Sequence, residues 1–242
     1  MNHSEPGLWC IVPAAGKGAR FGADVPKQYL SLNGMPVILH TLQRLAAHPR
    51  IAGIMVVLSA DDDLWPRLTE LNEKPVETAI GGRERADSVL AGLVALPHAV
   101  RADDFVLVHD AARPCVRAHD ITRLIDTGMR AGGAILASPV RDTLKRAGVC
   151  EGAPVIDATV DRLGLWRALT PQLFRRSELT RALQHAHLAG GATDEASAME
   201  VQGHRPMLVE GAEDNIKITT PADLILAEFL IQRTATEAME NF

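Results

Sequence analysis

The sequence predicts an α/β fold: a doubly wound, mostly parallel, Rossmann-like sheet carrying a protruding β-arm. Three observations predict it. Short apolar runs alternate with stretches whose apolar residues recur every three or four positions. The first apolar run leaves through a loop that is both glycine-rich and cationic. One segment, residues 141–170, interrupts the alternation. Alternating strand and helix patterns give parallel sheets, and strands covered by helices on both faces read as unbroken apolar runs.

The elements follow in chain order. LWCIV (8–12) is the first strand. PAAGKGARFGADVPKQY (13–29) comes next, with Gly16, Gly18 and Gly22 among Lys17, Arg20 and Lys27. Glycine admits close backbone approach, and free amides beside cations make an anion site. Two familiar phosphate loops fail on spacing, because Phe21 stands where G-x-x-x-x-G-K-[ST] and G-x-G-x-x-G each need a glycine. A surface turn with incidental charge is the alternative. The placement at a strand's carboxyl end, where such sheets bind ligands, favours a phosphate site.

PVILHTLQRLAAHP from Pro36 predicts a helix, with Ile38, Leu42 and Leu45 on one face. IMVVLS (54–59), VETAI (76–80), FVLVHD (105–110) and AILASPV (134–140) predict strands. Between them, helices are predicted for WPRLTELNE from Trp65, RERADSVLAGLVAL from Arg83 and HDITRLIDTGMRAG from His119. Residues 141–170 contain short β-like pieces, TLKR and VIDATV, around a turn with glycine and proline. An excursion of this length without its own core is either a binding loop or an arm that packs on something else. Val155, Ile156, Val160, Leu163 and Trp166 have too few partners in a lone hairpin, and a second subunit would supply them. Helices follow at 177–188 and 193–201, then a strand pair around MLVEG and NIKIT. The last helix is PADLILAEFLIQR, with Pro221 in its first turn and Thr219 or Thr220 near the cap. With no repeat or linker, the expectation is a single domain over 1–242 with a dimerisation arm at about 141–170.

Composition narrows the function. Of 242 residues, 47% are hydrophobic and 23% charged, as in ordinary globular proteins, and the net charge is −5. An acidic protein with a local basic loop points to a small anionic substrate and away from nucleic acid. No apolar run is long enough for a membrane span, and MNHSEPGLW has no basic-then-apolar pattern. The three cysteines, Cys10, Cys115 and Cys150, suggest no disulfide framework. A cytoplasmic location is expected.

Outside the loop, VHDAARP brings Asp110 and Arg113 to the same sheet edge. A strand-end carboxylate suits a Mg²⁺ ligand or a hydroxyl acceptor, and an Asp–Arg ion pair in a turn is the alternative. Arg162 in TVDR and Thr193 in GATDEAS add polar groups where no core periodicity exists, although Thr193 also suits a helix cap. Lys217 interrupts an apolar strand, which suits an anion contact or an exposed edge. His109 reads as a packed strand residue and Cys115 as an inert thiol. G-x-S-x-G, H-E-x-x-H and C-x-x-C are all absent.

PAAGKGARFGADVPKQY, GGRERADSVLAGL, VHDAARP, PVRDTLKR, TVDRLGLWRALTPQ, TDEASAMEVQG and VEGAEDNIKIT occur in this order. Together they resemble the 2-C-methyl-D-erythritol 4-phosphate cytidylyltransferase family over residues 8–232. The first motif alone indicates only a sugar-nucleotide-type nucleotidyltransferase; PVRDTLKR and TVDR make the resemblance specific. It implies transfer of CMP from CTP to methylerythritol phosphate with release of pyrophosphate, in the non-mevalonate route to isoprenoids. It also implies Mg²⁺ and a homodimer whose β-arms embrace.

By that resemblance Ala14, Ala15, Gly16 and Gly18 form the nucleotide-phosphate loop, with Arg20 and Lys27 as catalytic cations. Gly82 and Ser88 contact the cytidine. Asp110, Arg113, Thr143, Thr193 and Lys217 surround the sugar phosphate and metal, with Asp110 the metal ligand. Arg162 and Thr170 reach in from the partner's arm. A ribitol-5-phosphate cytidylyltransferase is the nearest alternative, and a non-catalytic nucleotide-binding relative is another. The presence of Arg20, Lys27, Asp110 and Lys217 together argues against the latter.

Overall fold

The computed structural model describes residues 7–16, 25–188 and 191–240. Strand β1, Leu8–Pro13, is unbroken and apolar, and it lies at the centre of the main sheet. After the glycine-rich segment, a single 3-10 turn, Lys27–Tyr29, leads into a small hairpin of β2, Ser31–Leu32, and β3, Met35–Pro36. Helix α1, Val37–Ala46, buries Ile38, Leu42 and Leu45, the stripe predicted from their spacing. Strand β4, Ile51–Leu58, then returns parallel to β1.

The helix expected from Trp65 is not there. Residues 59–69 are irregular and end in a hairpin of β5, Glu70–Leu71, with β6, Lys74–Ile80. Asn72 and Glu73 turn with φ of 51° and 61°, a left-handed pair that closes a two-residue hairpin and cannot continue a helix. Trp65, Leu68 and Leu71 still pack against the core. Their three-residue spacing therefore reports burial and not helix.

Helix α2, Arg85–Ala95, begins at a reciprocal capping box between Glu84 and Asp87. Strand β7, Phe105–Val108, pairs parallel with β1 on the side away from β4. Helix α3, Ala118–Ala131, ends at Gly132, whose φ of 84° forms the left-handed cap. Strand β8, Gly133–Pro139, leads to a separate hairpin of β9, Leu144–Cys150, and β10, Ala153–Val160, which pair only with each other.

The excursion ends earlier than its composition suggested. Strand β11, Trp166–Arg175, returns to the main sheet and fits antiparallel between β7 and β8. Leu169, Leu173 and Phe174 are buried there. Helices α4, Arg176–Leu188, and α5, Glu195–Val201, follow, the second opened by an Asp194–Ser197 capping box. Strand β12, Met207–Glu210, pairs parallel with β8, and α6, Pro221–Glu240, closes the chain. NIKIT is not a strand. Arg113 donates to the carbonyl of Asn215, and Ile218 N–H donates to Ala112. The segment's backbone bonds therefore go to the loop after β7 and not to a ladder.

The eight-stranded order is β12-β8-β11-β7-β1-β4-β6-β5. Side chains alternate across it: Cys10 and Val12 face the cluster with α1 and α3, while Trp9 and Ile11 face α2, α4 and α5. The chain moves outward through β4 and β6, then crosses back to β7. That reversal beside β1 opens a crevice at the carboxyl ends of the strands. Among the described residues, no helix is long and apolar enough to cross a membrane.

Candidate active site

A cavity of about 390 Å³ occupies this crevice. Its wall comes from the ends of three parallel strands. Pro13, Ala14, Ala15 and Gly16 follow β1; Gly82, Arg83, Glu84, Arg85 and Ser88 follow β6 and open α2; Asp110, Ala111 and Ala112 follow β7. Lys27 and Gln28 enter from the 3-10 turn, and Lys217 and Thr219 from the loop before α6.

Gly82 is needed where it stands, since a Cβ there would lie 2.3 Å from the Asp87 Cβ. Asp87 is held in place because its carboxylate accepts from the Glu84 amide in the capping box. The helix start and the glycine turn therefore form one unit. Ser88 is buried beside them, its hydroxyl donating to the Glu84 carbonyl.

The charged centre is Asp110, only 6% exposed. Arg85 Nε lies 3.0 Å from one carboxylate oxygen; Lys217 Nζ at 3.0 Å and Arg113 Nε at 3.3 Å share the other. Burial by itself would raise this carboxyl. Arg85, then Lys217 and Arg113, override it and hold the group well below the usual carboxylate range. Arg85 is in turn gripped by Glu195, with Nη1 at 2.6 Å and Nη2 at 3.1 Å from its two oxygens. Glu195 is fully buried, and burial pushes its pKa up against the pull of Arg85. Although burial opposes its charge, Arg85 is held above its ordinary range by Glu195 and Asp110.

Thr170 belongs beneath this centre and not on an arm. It is buried in β11 of its own chain, and its hydroxyl accepts from the Asp110 amide at 3.0 Å. The same hydroxyl meets His109 Nδ1 at 3.0 Å, while His109 Nε2 lies 3.1 Å from the Arg113 carbonyl. Burial lowers the His109 pKa to about 4, so the ring is neutral at pH 7. Nε2 must then donate to Arg113 O, and Nδ1 must accept from Thr170. Each partner in this chain thereby has a defined role, and the expectation that Thr170 reaches a second subunit is corrected. His109 is a packed residue, as expected. Burial also raises the Cys115 thiol to about 11, as suits an inert cysteine.

The remaining expected residues divide. Ala14, Ala15, Gly16, Lys27, Gly82, Ser88, Asp110 and Lys217 meet around one cavity, and Arg113 joins through Asp110. Thr143 and Arg162 sit exposed at the base of the hairpin and do not line it; Arg162 donates to the Arg141 carbonyl. Thr193 is exposed beside the α5 cap, its hydroxyl bonded to Ser197. Gly18 and Arg20 lie outside the described residues.

Magnesium at Asp110 meets a carboxylate whose two oxygens already accept from three cations. Among the described residues no group of three His, Cys, Asp or Glu side chains could hold a metal. A Mg²⁺ ion there would have to compete with Arg85, Arg113 and Lys217 for those oxygens.

Arg85, Glu195 and Gln28 were not singled out in the sequence. Arg85 did leave a signal: a cation in the first turn of a helix opposes the helix dipole and needs acidic partners. Glu195 left none, because an acid in a first turn is ordinary.

Comparison with known proteins agrees with the geometry. The family profile of 2-C-methyl-D-erythritol 4-phosphate cytidylyltransferase matches residues 8–233. A curated cytidylyltransferase of that name from Stenotrophomonas maltophilia (strain R551-3) is 61% identical over 231 residues, covering 94% of this chain and 98% of the relative. A crystal structure of a 4-diphosphocytidyl-2C-methyl-D-erythritol synthase superposes with a TM-score of 0.79 at 38% identity, covering 94% of this chain and 99% of the other. The cytidylyltransferase from Francisella tularensis gives 0.77 at 35%, covering 93% and 99%. A Rossmann-like crevice of this make-up, matched along nearly the whole chain at such identity, places the protein in the 2-C-methyl-D-erythritol 4-phosphate cytidylyltransferase family.

Proposed function

We propose that this crevice transfers CMP from CTP to 2-C-methyl-D-erythritol 4-phosphate by in-line attack, releasing pyrophosphate and forming 4-diphosphocytidyl-2-C-methyl-D-erythritol. The observation that carries the reading is the cluster of Arg85, Asp110, Arg113 and Lys217 facing a glycine-framed loop across one cavity. The acceptor phosphate is ionised at neutral pH, so no general base and no covalent enzyme intermediate are required. The obstacle is repulsion between an anion and a triphosphate.

Lys27, Arg20 and the loop amides would neutralise that repulsion and the charge that develops on phosphorus and on the departing pyrophosphate. Gly82 and Ser88 frame the cytidine. Lys217 and Arg113, ordered by Asp110, hold the acceptor phosphate in line. Thr170 acts indirectly, by fixing the backbone of Asp110. Thr193, beside the α5 cap, is assigned to the acceptor side by the resemblance alone.

We assign the divalent cation to the nucleotide substrate, where triphosphate oxygens hold it, and not to a resident site on Asp110. When bound, it supplies charge neutralisation to the triphosphate. EDTA should then abolish turnover. Asp110→Asn should weaken the acceptor's KM while leaving the half-saturating Mg²⁺ concentration unchanged; a large rise in that concentration would return the metal to Asp110.

We further assign Thr143 and Arg162 to the pocket of the second subunit in a homodimer joined through the β9–β10 arm. The exposed apolar residues of that hairpin support this. Small anionic substrates, which do not cross a membrane unaided, support a cytoplasmic location. The deciding assay is pyrophosphate release from CTP with each polyol phosphate. Methylerythritol phosphate should be strongly preferred. Equal kcat/KM with ribitol 5-phosphate would overturn the acceptor, and no release with either would leave only a nucleotide-binding role.

A further inference from the structure

We infer that Gln28 is a positioning residue that clasps Lys27 to the nucleotide-phosphate loop. The inference rests on the proposed role of Lys27. Gln28 is 4% exposed and lies one residue beyond Lys27 in the 3-10 turn. Its side-chain Nε2 donates to two carbonyls of the loop, Ala14 O at 2.7 Å and Gly16 O at 3.2 Å. An amide nitrogen has two hydrogens, and both are committed to this one stretch of backbone.

The position of these bonds makes them more than the satisfaction of buried groups. The ladder between β1 and β4 continues through Ala14 N–H, which donates to Val57 O at 2.7 Å. Beyond that point the described loop, residues 14–16, leaves the sheet, and Gln28 takes over as its hydrogen-bond partner. A trans peptide holds its N–H opposite to its C=O. Drawing the Ala14 carbonyl toward Gln28 therefore directs the Ala15 amide the other way, and Ala15 lines the cavity. The far end of the clasp is fixed as well. Tyr29, next to Gln28, donates through its hydroxyl to Asp62 at 2.8 Å, and its amide donates to Pro26 O.

Two segments far apart in bonding terms, the end of β1 and the Lys27 turn, are thus locked at one separation by one side chain. Electrostatic stabilisation of a transition state depends on that separation, since misplacement of a charged group by about 1 Å can cost on the order of 100-fold. A merely structural glutamine would support the fold without setting the contribution of Lys27.

The test is a double-mutant cycle between Gln28→Met, which keeps the shape and removes the donors, and Lys27→Ala. In the native background Lys27→Ala should lower kcat on the order of 100- to 1,000-fold. In the Gln28→Met background the same change should cost less than about 10-fold, because Lys27 is already misplaced. The CTP KM should rise in Gln28→Met while the KM of the acceptor stays constant. If Lys27→Ala keeps its full cost in the Gln28→Met protein, the clasp is overturned. If Gln28→Met does not fold, Gln28→Glu enters the same cycle under the same criterion. Should Lys27→Ala alone leave kcat intact, it is the role of Lys27 that fails, an outcome distinct from loss of coupling.

Discussion

The crevice and the β9–β10 hairpin solve opposite problems. In the crevice, the carboxylates of Asp110 and Glu195 are buried and answered within the chain: Asp110 by Arg85, Arg113 and Lys217, and Glu195 by Arg85. Each member of such a network is satisfied by another, and removing one strands the others. In the hairpin, strands pair only with each other, and Val149 and Ile156 are 81% and 68% exposed. A two-stranded ribbon has nothing of its own on which to bury them. The difference teaches that one region meets its buried charges within the chain, whereas the other leaves apolar side chains that its own strands do not cover.

The sharpest test of the crevice is the removal of a cation. Lys27→Ala and Arg20→Ala should each lower kcat on the order of 100- to 1,000-fold, with much smaller changes in CTP affinity. Near-normal turnover in steady-state assays of both variants would remove them from catalysis.

The hairpin is tested by mixing. If Arg162 serves the partner's pocket, Lys27→Ala and Arg162→Ala homodimers are both nearly inactive. In a mixed dimer one site collects both lesions and the other collects none. Equal mixing under subunit exchange should therefore restore about a quarter of native activity. If exchange is demonstrated and no activity returns, Arg162 acts in its own chain and the contrast between the two regions collapses.

A smaller effect separates the regions by pH. Burial holds His109 at about 4 against an ordinary 6.5. Between those values the unfolded chain binds a proton that the folded chain does not, so stability falls as pH falls through that window, by about 3 kcal/mol. Denaturant titrations of His109→Gln from pH 7 to pH 4 should show a shallower decline than native protein; parallel curves would contradict the assignment.

The smallest effects compare one residue from each region. Thr170→Val leaves the buried Asp110 amide without its acceptor and should cost about 1–3 kcal/mol in urea unfolding. Arg162→Ala, exposed at the base of the hairpin, should change stability by no more than about 0.5 kcal/mol. Equal costs would show that the arm contributes to the fold of its own chain.

Much of this was legible in the sequence because it is local. Apolar spacing marked the buried faces of α1 and α3, unbroken apolar runs marked the inner strands, and the glycine-rich loop and Asp110 fell at strand ends. Local pattern also misled in two places. Trp65, Leu68 and Leu71 are spaced as on a helix yet pack from an irregular segment, and the apolar residues of NIKIT suggest a strand where the backbone bonds to the loop after β7. Periodicity records which side chains are buried, and more than one backbone path can bury them.

The sequence by itself determined the doubly wound class, the carboxyl-edge position of the cationic loop and the family to which its motifs belong. Tertiary structure alone decided that β11 enters the sheet antiparallel, that Thr170 supports Asp110 from within its own chain, and that Glu195 holds Arg85 from 110 positions away. The reason is physical. Whether a side chain prefers to be buried depends on the side chain and its near neighbours, and spacing reveals it. Which donor meets which buried acceptor depends on elements brought together only when the sheet is assembled.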